Sequence, residues 1–286
     1  MKKVLLRLAI LLCLFPLFLG CQRVHAPTDS AFSEESEQSD VSHETPTPEP
    51  KNVGEFWDVS DVDISYVPRG RKLLSLTFDD APKSTLENIL AVFADFNEQN
   101  PDFYATATLF CNGMHIHASS RRALETAVAM GFELGNHTHF HYDLTTLTTE
   151  ALHDEVARTD RLLSQIDQKP LHLLRPPFGN CNAFVKAHVS VPIINWTIDT
   201  LDWTGVSEEE ILQSVLQNCY DGGIALLHDG YQNTVNALKR ILPALKERGY
   251  QVVSVSTMAK AHDCPLKNGS EYIRARPKSP NRVRNE

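Results

Sequence analysis

The residues with the clearest chemical potential are a pair of adjacent carboxylates and a pair of histidines four positions apart. Asp79 and Asp80 are neighbours in the stretch TFDDAP, and His137 and His141 lie in HTHFH. If the second stretch turns as a helix, both imidazoles share one face and can bind one metal ion, while His139 points elsewhere. Two imidazoles and one carboxylate leave open positions on a divalent metal, as a hydrolase requires. The neighbouring carboxylate can then act as the base that accepts a proton from the attacking water.

Three more polar clusters follow apolar runs further along the chain. They are RPPFG, which begins at Arg175, DTLDW, which contains Asp202, and the pair His228 and Asp229. Each of the five clusters comes directly after a run whose pattern predicts a β-strand. In an α/β barrel the carboxyl ends of all strands open on one face, so we expect the five clusters to converge on one site.

Short apolar runs alternate with helical patterns in the middle of the chain. The predicted strands are residues 73–78, 105–110, 132–135, 171–174, 192–198, 224–227 and 251–255. The predicted helices are residues 84–97, 121–130, 148–166, 207–217 and 233–248. Ser207 and Glu210 form a capping box at the start of the fourth helix, and Gly249 stops the last one, which we expect Pro243 to kink or restrict. Repeated strand–helix units require a parallel sheet, closed as a barrel or open as a doubly wound layer.

The five clusters also resemble the motifs of a known family. TFDDAP, HTHFH, RPPFG, DTLDW and LLHDG occur in this order within residues 73–262. They look like the five motifs of the polysaccharide deacetylase family, also called the NodB homology domain or carbohydrate esterase family four. The resemblance implies an α/β fold of the distorted (β/α) barrel type and a metal-dependent removal of acetyl groups from polysaccharide.

The resemblance also implies a role for individual residues at these motifs. Asp79 is implied to be the general base, which Arg175 orients and tunes. His228 is implied to be the general acid, and Asp202 holds its imidazole in the working tautomer and favours the protonated form. The implied metal ligands are Asp80, His137 and His141.

Further residues are implied to contact the substrate. The resemblance implies that the main-chain N–H of Phe178 joins the metal in stabilising the tetrahedral oxyanion. Trp203 and Leu226, with Trp196 upstream, resemble the apolar wall around the acetyl methyl group. Two positions depart from the family pattern, since Ala81 stands where glycine is usual and Phe178 where tyrosine is frequent. The proline after Ala81 already restricts it to extended conformations that alanine accepts, and Phe178 retains its backbone N–H.

These features favour an enzyme acting on an acetylated polysaccharide. The leading hypothesis is an N-deacetylase acting on N-acetylglucosamine units of peptidoglycan or an exopolysaccharide at the cell surface. One alternative is an O-acetyl esterase acting on xylan, and another is a sugar-binding lipoprotein with an inactive site. The complete set of base, ligands, arginine and acid argues against the inactive protein. We expect the metal to be zinc, with cobalt, manganese and nickel as alternatives.

The first 21 residues predict export and lipid attachment. Lys2, Lys3 and Arg7 precede an uncharged apolar run at residues 8–19, shorter than the ~20 residues of a membrane-spanning helix. The run leads into LFLGC, which resembles a bacterial lipobox with Cys21 as the lipidated residue. A secretory signal with a chance cysteine is the alternative. We therefore expect a protein anchored by lipid to the bacterial cell membrane and facing outside the cytoplasm.

The composition and net charge of the chain limit its domain organisation and the classes of partner that it can bind. The 286 residues are 42% hydrophobic and 22% charged, which is typical of a globular protein, and the formal net charge is −9. An acidic balance offers no broad surface for a phosphate backbone, so nucleic acid is not expected as a partner. The predicted divisions are a signal peptide (1–20), a lipidated cysteine with a disordered Ser/Glu/Pro-rich tether (21–60), a catalytic domain (61–262) and a basic tail (263–286).

Four cysteines remain after the signal and the lipidated residue. Export implies an oxidising compartment, in which Cys111, Cys181, Cys219 and Cys264 allow three sets of pairs. Cys219 ends a predicted helix and so lies opposite the catalytic face, where Cys111 and Cys181 are expected. A bridge between Cys219 and Cys264 is therefore favoured if any disulfide forms.

The remaining histidines and tyrosines near the motifs have simpler interpretations. His115 and His117 are expected to be exposed loop residues. Four others are expected at the surface or at helix ends: His153, His172, His188 and His262. Tyr142 and Tyr231 each adjoin a motif and either stack on sugar rings or pack at the barrel rim.

Overall fold

The computed structural model of this chain describes residues 54–276. The strands within these residues are β1 (Lys72–Ala81), β2 (Thr108–Cys111), β3 (Glu133–Asn136), β4 (Ile193–Ile194), β5 (Ile198–Asp199), β6 (Gly223–His228), β7 (Tyr250–Val252) and β8 (Glu271–Tyr272). The helices are α1 (Leu86–Gln99), α2 (Ala118–Ala129), α3 (Thr149–Asp167), α4 (Ala183–His188), α5 (Glu208–Asn218), α6 (Gln232–Glu247) and α7 (Val255–Ala261).

The central strand of the sheet is β1. One edge of β1 pairs with β6 from Leu74 to Asp79, while β7 pairs with the start of its other edge and β2 with the end. Next, β3 pairs with β2 and β5 pairs with β6, and all of these pairs are parallel. The carboxyl ends of β1, β2, β3 and β6 therefore lie at the same end of the sheet.

Single bridges and one short pair continue the sheet into a closed arrangement. Asn136 at the end of β3 bridges to Leu174, and Leu174 bridges to Ile193 in β4. β4 pairs with β8, and Arg274 just after β8 bridges back to Gly223 in β6. The structure is thus the distorted (β/α) barrel expected from the sequence, with irregular pairing on the side of β4 and β8.

The helices cover the sheet with their apolar faces. In α6 the buried residues recur at helical spacing and belong to the larger apolar cluster: Val235, Leu238, Ile241, Leu242 and Leu245. Pro243 lies inside α6 on its exposed side and does not end the helix. The capping box at Ser207 and Glu210 forms as predicted and starts α5.

Three predicted elements differ from the structure. Residues 171–174 make only the bridge at Leu174, and the predicted strand 192–198 is divided into β4 and β5. The predicted strand 251–255 ends at Val252, because the Ser254 hydroxyl accepts a hydrogen bond from the Thr257 N–H and caps α7. An apolar run of this length fits a strand and a buried helix equally well, so only the cap distinguishes them.

The folded domain extends beyond the predicted boundaries of 61–262 at both ends. The backbone N–H of Trp57 donates to the carbonyl of Leu266 at 2.8 Å, and Phe56 forms an antiparallel bridge with Lys267. Leu266 and Ala275 are buried, so the first part of the predicted tail completes the core. The predicted signal peptide, Cys21 and most of the tether lie outside the described residues, as do residues 277–286. None of the helices formed by residues 54–276 is long and apolar enough to cross a membrane.

The cysteines do not form the favoured disulfide. Cys111, Cys181, Cys219 and Cys264 are free thiols. Cys219 packs against the large apolar cluster of β1, α1 and α6, whereas Cys264 packs with α7 in a second cluster. The Cys219–Cys264 pairing is therefore wrong, because the two thiols belong to different parts of the core. Burial raises the pKa of the Cys111 thiol well above its usual value.

Candidate active site

The sheet register brings two of the predicted catalytic residues together. Asp79 near the end of β1 lies directly opposite His228 at the end of β6. His137 follows the last residue of β3, and its backbone N–H donates to the carbonyl of Cys111 at the end of β2 at 2.9 Å. Residues from three strands thus meet at one end of the barrel, as the clustering of polar residues after strands predicts.

Asp80, His137 and His141 form the candidate metal centre. Asp80 Oδ1 lies 3.9 Å from His137 Nε2 and 3.7 Å from His141 Nε2. One possible ligand atom from each residue lies within 4.8 Å of the others. His137 Nδ1 donates to the carbonyl of Arg175 at 2.7 Å, which fixes the tautomer that leaves Nε2 free as a ligand. Two imidazoles and one carboxylate in this arrangement fit a divalent metal.

The segment that carries the two histidines is not helical, although a helical turn was expected. Thr138 and His141 adopt positive φ angles of 66° and 61°. The Glu155 carboxylate in α3 accepts hydrogen bonds from the backbone N–H groups of His139 at 3.0 Å and Phe140 at 2.8 Å. This buried carboxylate replaces the acceptors that a helix would supply, and the two metal-facing rings still lie with centroids 4.9 Å apart.

The loop after Asp80 is fixed by an acidic residue for which the sequence suggested no role. Asp229 is fully buried and accepts hydrogen bonds from the backbone N–H of Lys83 and from the backbone and hydroxyl of Thr85. Asp80 itself has a φ of 66°, and its Oδ2 lies 3.0 Å from Lys83 Nζ. Burial alone would raise the pKa of Asp80, but the charges of His137 and Lys83 lower it overall.

Asp79 is held by a buried arginine. Arg175 Nη1 donates to Asp79 Oδ1 at 2.6 Å, and the second oxygen, Oδ2, lies 3.6 Å from His137 Nε2. Arg175 also donates to Thr77 Oγ1 at 2.8 Å and to the carbonyl of Ile194 at 2.9 Å. Burial lowers the pKa of the guanidinium, and the Asp79 charge opposes that change. Oδ1 of Asp79 thus accepts a hydrogen bond from Arg175, whereas Oδ2 faces the candidate metal ligand His137.

His228 is paired with Asp202 as expected. His228 Nδ1 lies 2.7 Å from Asp202 Oδ1, and the His228 backbone N–H donates to Oδ2 at 2.8 Å. The Thr234 hydroxyl donates to the same oxygen at 2.6 Å, so the carboxylate is fixed from three directions. Burial alone would lower the pKa of His228, but the hydrogen bond that its imidazole donates to Asp202 and the nearby carboxylate charges raise it overall. This arrangement favours a protonated imidazole whose Nε2 is free.

The predicted substrate contacts differ in exposure. Phe178 is 65% exposed with a φ of 62°, and its ring centroid lies 4.8 Å from that of His141. Trp203 is 52% exposed beside Asp202. Leu226 is buried two residues before His228, and strand alternation directs both side chains to one face. Their contacts with an acetyl group stay predictions.

Trp196 lies beneath the RPPFG turn. A side chain at Gly179 would place its Cβ 2.8 Å from the Trp196 ring, and the Arg175 guanidinium lies 5.6 Å from the ring centroid. The half-buried indole also packs with the second apolar cluster. Its position supports the turn that carries Phe178, and its predicted contact with the acetyl methyl group stays a prediction.

The predicted position of His172 is wrong. It was expected at the surface or at a helix end, but it is only 1% exposed. Its Nδ1 lies 2.8 Å from Asp160 and its Nε2 lies 3.2 Å from Asp167. Burial alone would lower its pKa, but the hydrogen bonds to both carboxylates raise it to about 9. Asp160 Oδ1 also accepts from Asn136 Nδ2 at 2.9 Å, which ties the pair to the residue before His137.

The other predicted side chains lie mostly where they were expected. His153 is exposed, and His188 and His262 lie at the ends of α4 and α7. His117 is exposed, whereas His115 is half-buried. Tyr142 is 54% exposed. The Tyr231 ring lies with its centroid 6.2 Å from that of His228, so it borders the site.

Comparison with known proteins agrees with this geometry. A family model described as polysaccharide deacetylase matches residues 66–193. A peptidoglycan-N-acetylglucosamine deacetylase of Bacillus cereus is 31% identical over 203 residues, which cover 68% of this chain and 91% of that protein. The chain belongs to the polysaccharide deacetylase family. The family resemblance is therefore confirmed, and the α/β fold is consistent with that of solved deacetylase structures.

Other polysaccharide deacetylases are similar over the same region. A bifunctional xylanase/deacetylase of Pseudobutyrivibrio xylanivorans is 30% identical over 193 residues, which cover 66% of this chain and 31% of that protein. A solved structure described as T48 deacetylase with substrate has a TM-score of 0.65 and 29% identity, and the match covers 71% of this chain and 96% of that one. The chain spans less than half the length of several curated relatives that it matches.

Proposed function

We propose that this chain is a metal-dependent hydrolase that removes N-acetyl groups from N-acetylglucosamine units of peptidoglycan or an exopolysaccharide. The observation that carries this proposal is that the candidate base, the candidate acid and the candidate metal ligands lie together at one end of the barrel. Asp79 lies opposite His228 in the sheet register, and Oδ2 of Asp79 is 3.6 Å from the ligand His137. The printed name of the Bacillus cereus relative supports the choice of substrate.

The proposed chemistry divides the work among the residues of the site. A divalent metal bound by Asp80, His137 and His141 would polarise the acetyl carbonyl and make water more acidic. Asp79 accepts the proton of the attacking water, because its position beside the metal ligands brings Oδ2 within reach of that water. Arg175 prevents rotation of the carboxylate by holding Oδ1.

Departure of the sugar amine requires a proton, and His228 supplies it. Its surroundings raise its pKa and so increase the protonated fraction of the imidazole, and Asp202 fixes the ring so that Nε2 is the donating atom. The backbone N–H of Phe178, in the RPPFG turn, stabilises the developing oxyanion. An amide is a poorer electrophile than an ester, so an N-deacetylase uses every one of these groups.

We propose zinc as the metal, since a centre with two imidazoles and one carboxylate suits this ion. Cobalt, manganese and nickel also bind such centres. Metal analysis of protein purified without added metal identifies the ion. Separate reloading of the chelated protein with each of the four metals compares their rates.

The second candidate is an O-acetyl esterase acting on xylan. The bifunctional xylanase/deacetylase among the relatives supports it. A panel of acetylated substrates separates the candidates: N-acetylglucosamine oligomers, peptidoglycan and acetylated xylan, with acetate release as the measurement. We expect release from the N-acetylated glycans, whereas release from acetylated xylan alone would favour the esterase. Metal-loaded protein that releases acetate from none of them would instead be an inactive sugar-binding protein.

We also propose that the protein is exported and anchored to the cell membrane through Cys21. The support is the position of Gly20-Cys21 at the end of the apolar run. Cys21→Ser is expected to release the protein from membranes or to block its processing, without loss of acetate release. A Cys21→Ser protein that still fractionates with membranes after signal cleavage would contradict the lipid anchor.

A further inference from the structure

A groove of about 530 Å³ opens beside the catalytic residues. Its lining includes one lysine, two histidines and one tyrosine: Lys83, His115, His117 and Tyr231. Among the described residues, no aspartate or glutamate lines this groove, although the whole chain has a net charge of −9. The groove therefore differs in charge from the acidic chain as a whole.

The groove adjoins both halves of the catalytic site. Lys83 Nζ lies 3.0 Å from Oδ2 of the metal ligand Asp80, and the Tyr231 ring lies next to that of His228 with centroids 6.2 Å apart. A polysaccharide whose acetyl group lies between Asp79 and His228 must place a neighbouring sugar along one side of this centre. The groove provides the space for that sugar and an aromatic ring at its border.

We propose that this groove binds a neighbouring sugar that carries a carboxylate, and that Lys83 recognises this group. This inference rests on the proposed function and names the class of polysaccharide. The ammonium group of lysine has three donors, and Asp80 occupies one of them. The side chain is 32% exposed, so the remaining donors are accessible to a ligand.

The position of Lys83 is defined by packing. A Cβ at Gly230 would lie 3.0 Å from Lys83 Cδ, so the aliphatic part of the lysine crosses the backbone of this glycine. The absence of a side chain at Gly230 allows that approach. The ammonium group then lies at the catalytic end of the groove, 3.0 Å from Asp80 Oδ2. The Lys83 backbone is fixed as well, because its N–H donates to the buried carboxylate of Asp229.

The histidines give the groove hydrogen-bonding groups for a sugar. Burial and the charge of Lys83 lower the pKa of His115, so its imidazole is neutral at neutral pH and can donate and accept. His117 is exposed and precedes α2, whose amino-terminal end favours a negative group. Carboxylate-bearing sugars of two kinds fit this chemistry, namely a lactyl ether of an amino sugar and a uronic acid.

A matched pair of substrates tests the subsite. Peptide-free peptidoglycan strands with free lactyl carboxylates are compared with the same strands after amidation of those carboxylates. We expect kcat/KM to be about tenfold higher for the charged strands, the size of one charge-assisted hydrogen bond. Equal kcat/KM values for the charged and amidated strands would overturn the subsite and leave the proposed deacetylase function intact.

Variants of Lys83 separate recognition of the substrate from support of Asp80. Lys83→Gln is expected to abolish the preference for charged strands, and Lys83→Arg to retain most of it. Lys239→Gln removes an exposed lysine from α6 and serves as the control that keeps the preference. If Lys83 acts only through Asp80, Lys83→Gln will lower the rates on both strands equally, and the preference will persist. That outcome would contradict the proposal.

Binding provides a readout that does not depend on turnover. Calorimetry with the Asp79→Asn protein measures affinity for charged and amidated strands and for glucuronic acid-bearing xylan fragments. Tighter binding of either charged ligand, lost in the Asp79→Asn, Lys83→Gln double variant, supports the subsite and identifies the source of the carboxylate. Equal affinity for charged and neutral ligands would reject it. If no glycan yields acetate, the proposed function fails, but this measurement still decides the subsite.

Discussion

Arg175 Nη1 lies 2.6 Å from Asp79 Oδ1, and both side chains are almost fully buried. Arg175→Met leaves a buried carboxylate without its partner, so we expect a loss of ~3–5 kcal/mol in the free energy of unfolding. Arg175→Lys keeps the charge but not all of the hydrogen bonds to Thr77 and Ile194, so it should fold and lose activity. Urea denaturation and acetate release measure the two effects.

The control for this arginine is Arg240 on α6. Its guanidinium pairs with Glu209 at 2.8 Å, and both side chains are exposed. Arg240→Met is therefore expected to change the free energy of unfolding by less than ~1 kcal/mol. An Arg175→Met protein as stable as Arg240→Met would show that the buried pair does not support the fold.

We expect the pairing of His228 with Asp202 to set the pH at which activity falls on the alkaline side of the pH–rate profile. A general acid must be protonated, so activity falls as pH rises through the pKa of His228, which its surroundings raise. Asp202→Asn removes a cause of this increase, and the fall should move to lower pH. His228→Ala should lower kcat by ~10²–10⁴-fold with a smaller change in KM. An alkaline limb that is unchanged in Asp202→Asn would contradict this assignment.

The raised pKa of His172 should lower the free energy of unfolding at alkaline pH. Its pKa is raised to about 9 in the folded protein from an ordinary value of 6.5. The resulting stabilisation is fully present below about pH 6.5 and is lost as pH rises through about 9, with a size of ~3 kcal/mol. Urea denaturation at about pH 6 and about pH 10 should show this difference in the native protein.

The matched variants are His172→Gln and His153→Gln. His172→Gln should reduce the pH dependence between these two conditions, whereas His153 is exposed and its replacement should leave it unchanged. Because Asp160 also binds Asn136, His172→Gln should in addition weaken metal binding at His137. A native-like pH dependence in His172→Gln would assign the alkaline loss to other groups.

The two adjacent carboxylates predict opposite phenotypes. Asp80→Ala, His137→Ala and His141→Ala should each lose bound metal, because each removes one of three candidate ligands. Asp79→Asn should keep the metal and lose turnover. Metal analysis of the four purified variants tests the assignment, and an Asp79→Asn protein without metal would contradict the division into base and ligand.

The sequence predicted the barrel and the residues that meet at the candidate site, because these residues follow strands and lie in short motifs. It did not predict the positioning roles of Glu155, Asp229 and His172 around these residues. These three residues act through hydrogen bonds to backbone groups or to side chains that only the tertiary fold brings close, such as Asp229 with Thr85. A lone buried histidine is also indistinguishable from an exposed one when its partners are not adjacent in sequence. For the same reason the Cys219–Cys264 pairing was wrong, since it depended on which apolar cluster each thiol joins.

The most direct test of the proposed function is acetate release from N-acetylglucosamine oligomers by one protein sample before chelation, after chelation and after reloading with zinc. We predict activity in the first and third states and none in the second, with Asp79→Asn inactive in all three although it retains zinc when loaded. Acetate release that continues unchanged after complete removal of the metal, or a zinc-loaded Asp79→Asn protein with native rates, would contradict a metal-dependent deacetylase that uses Asp79 as its base.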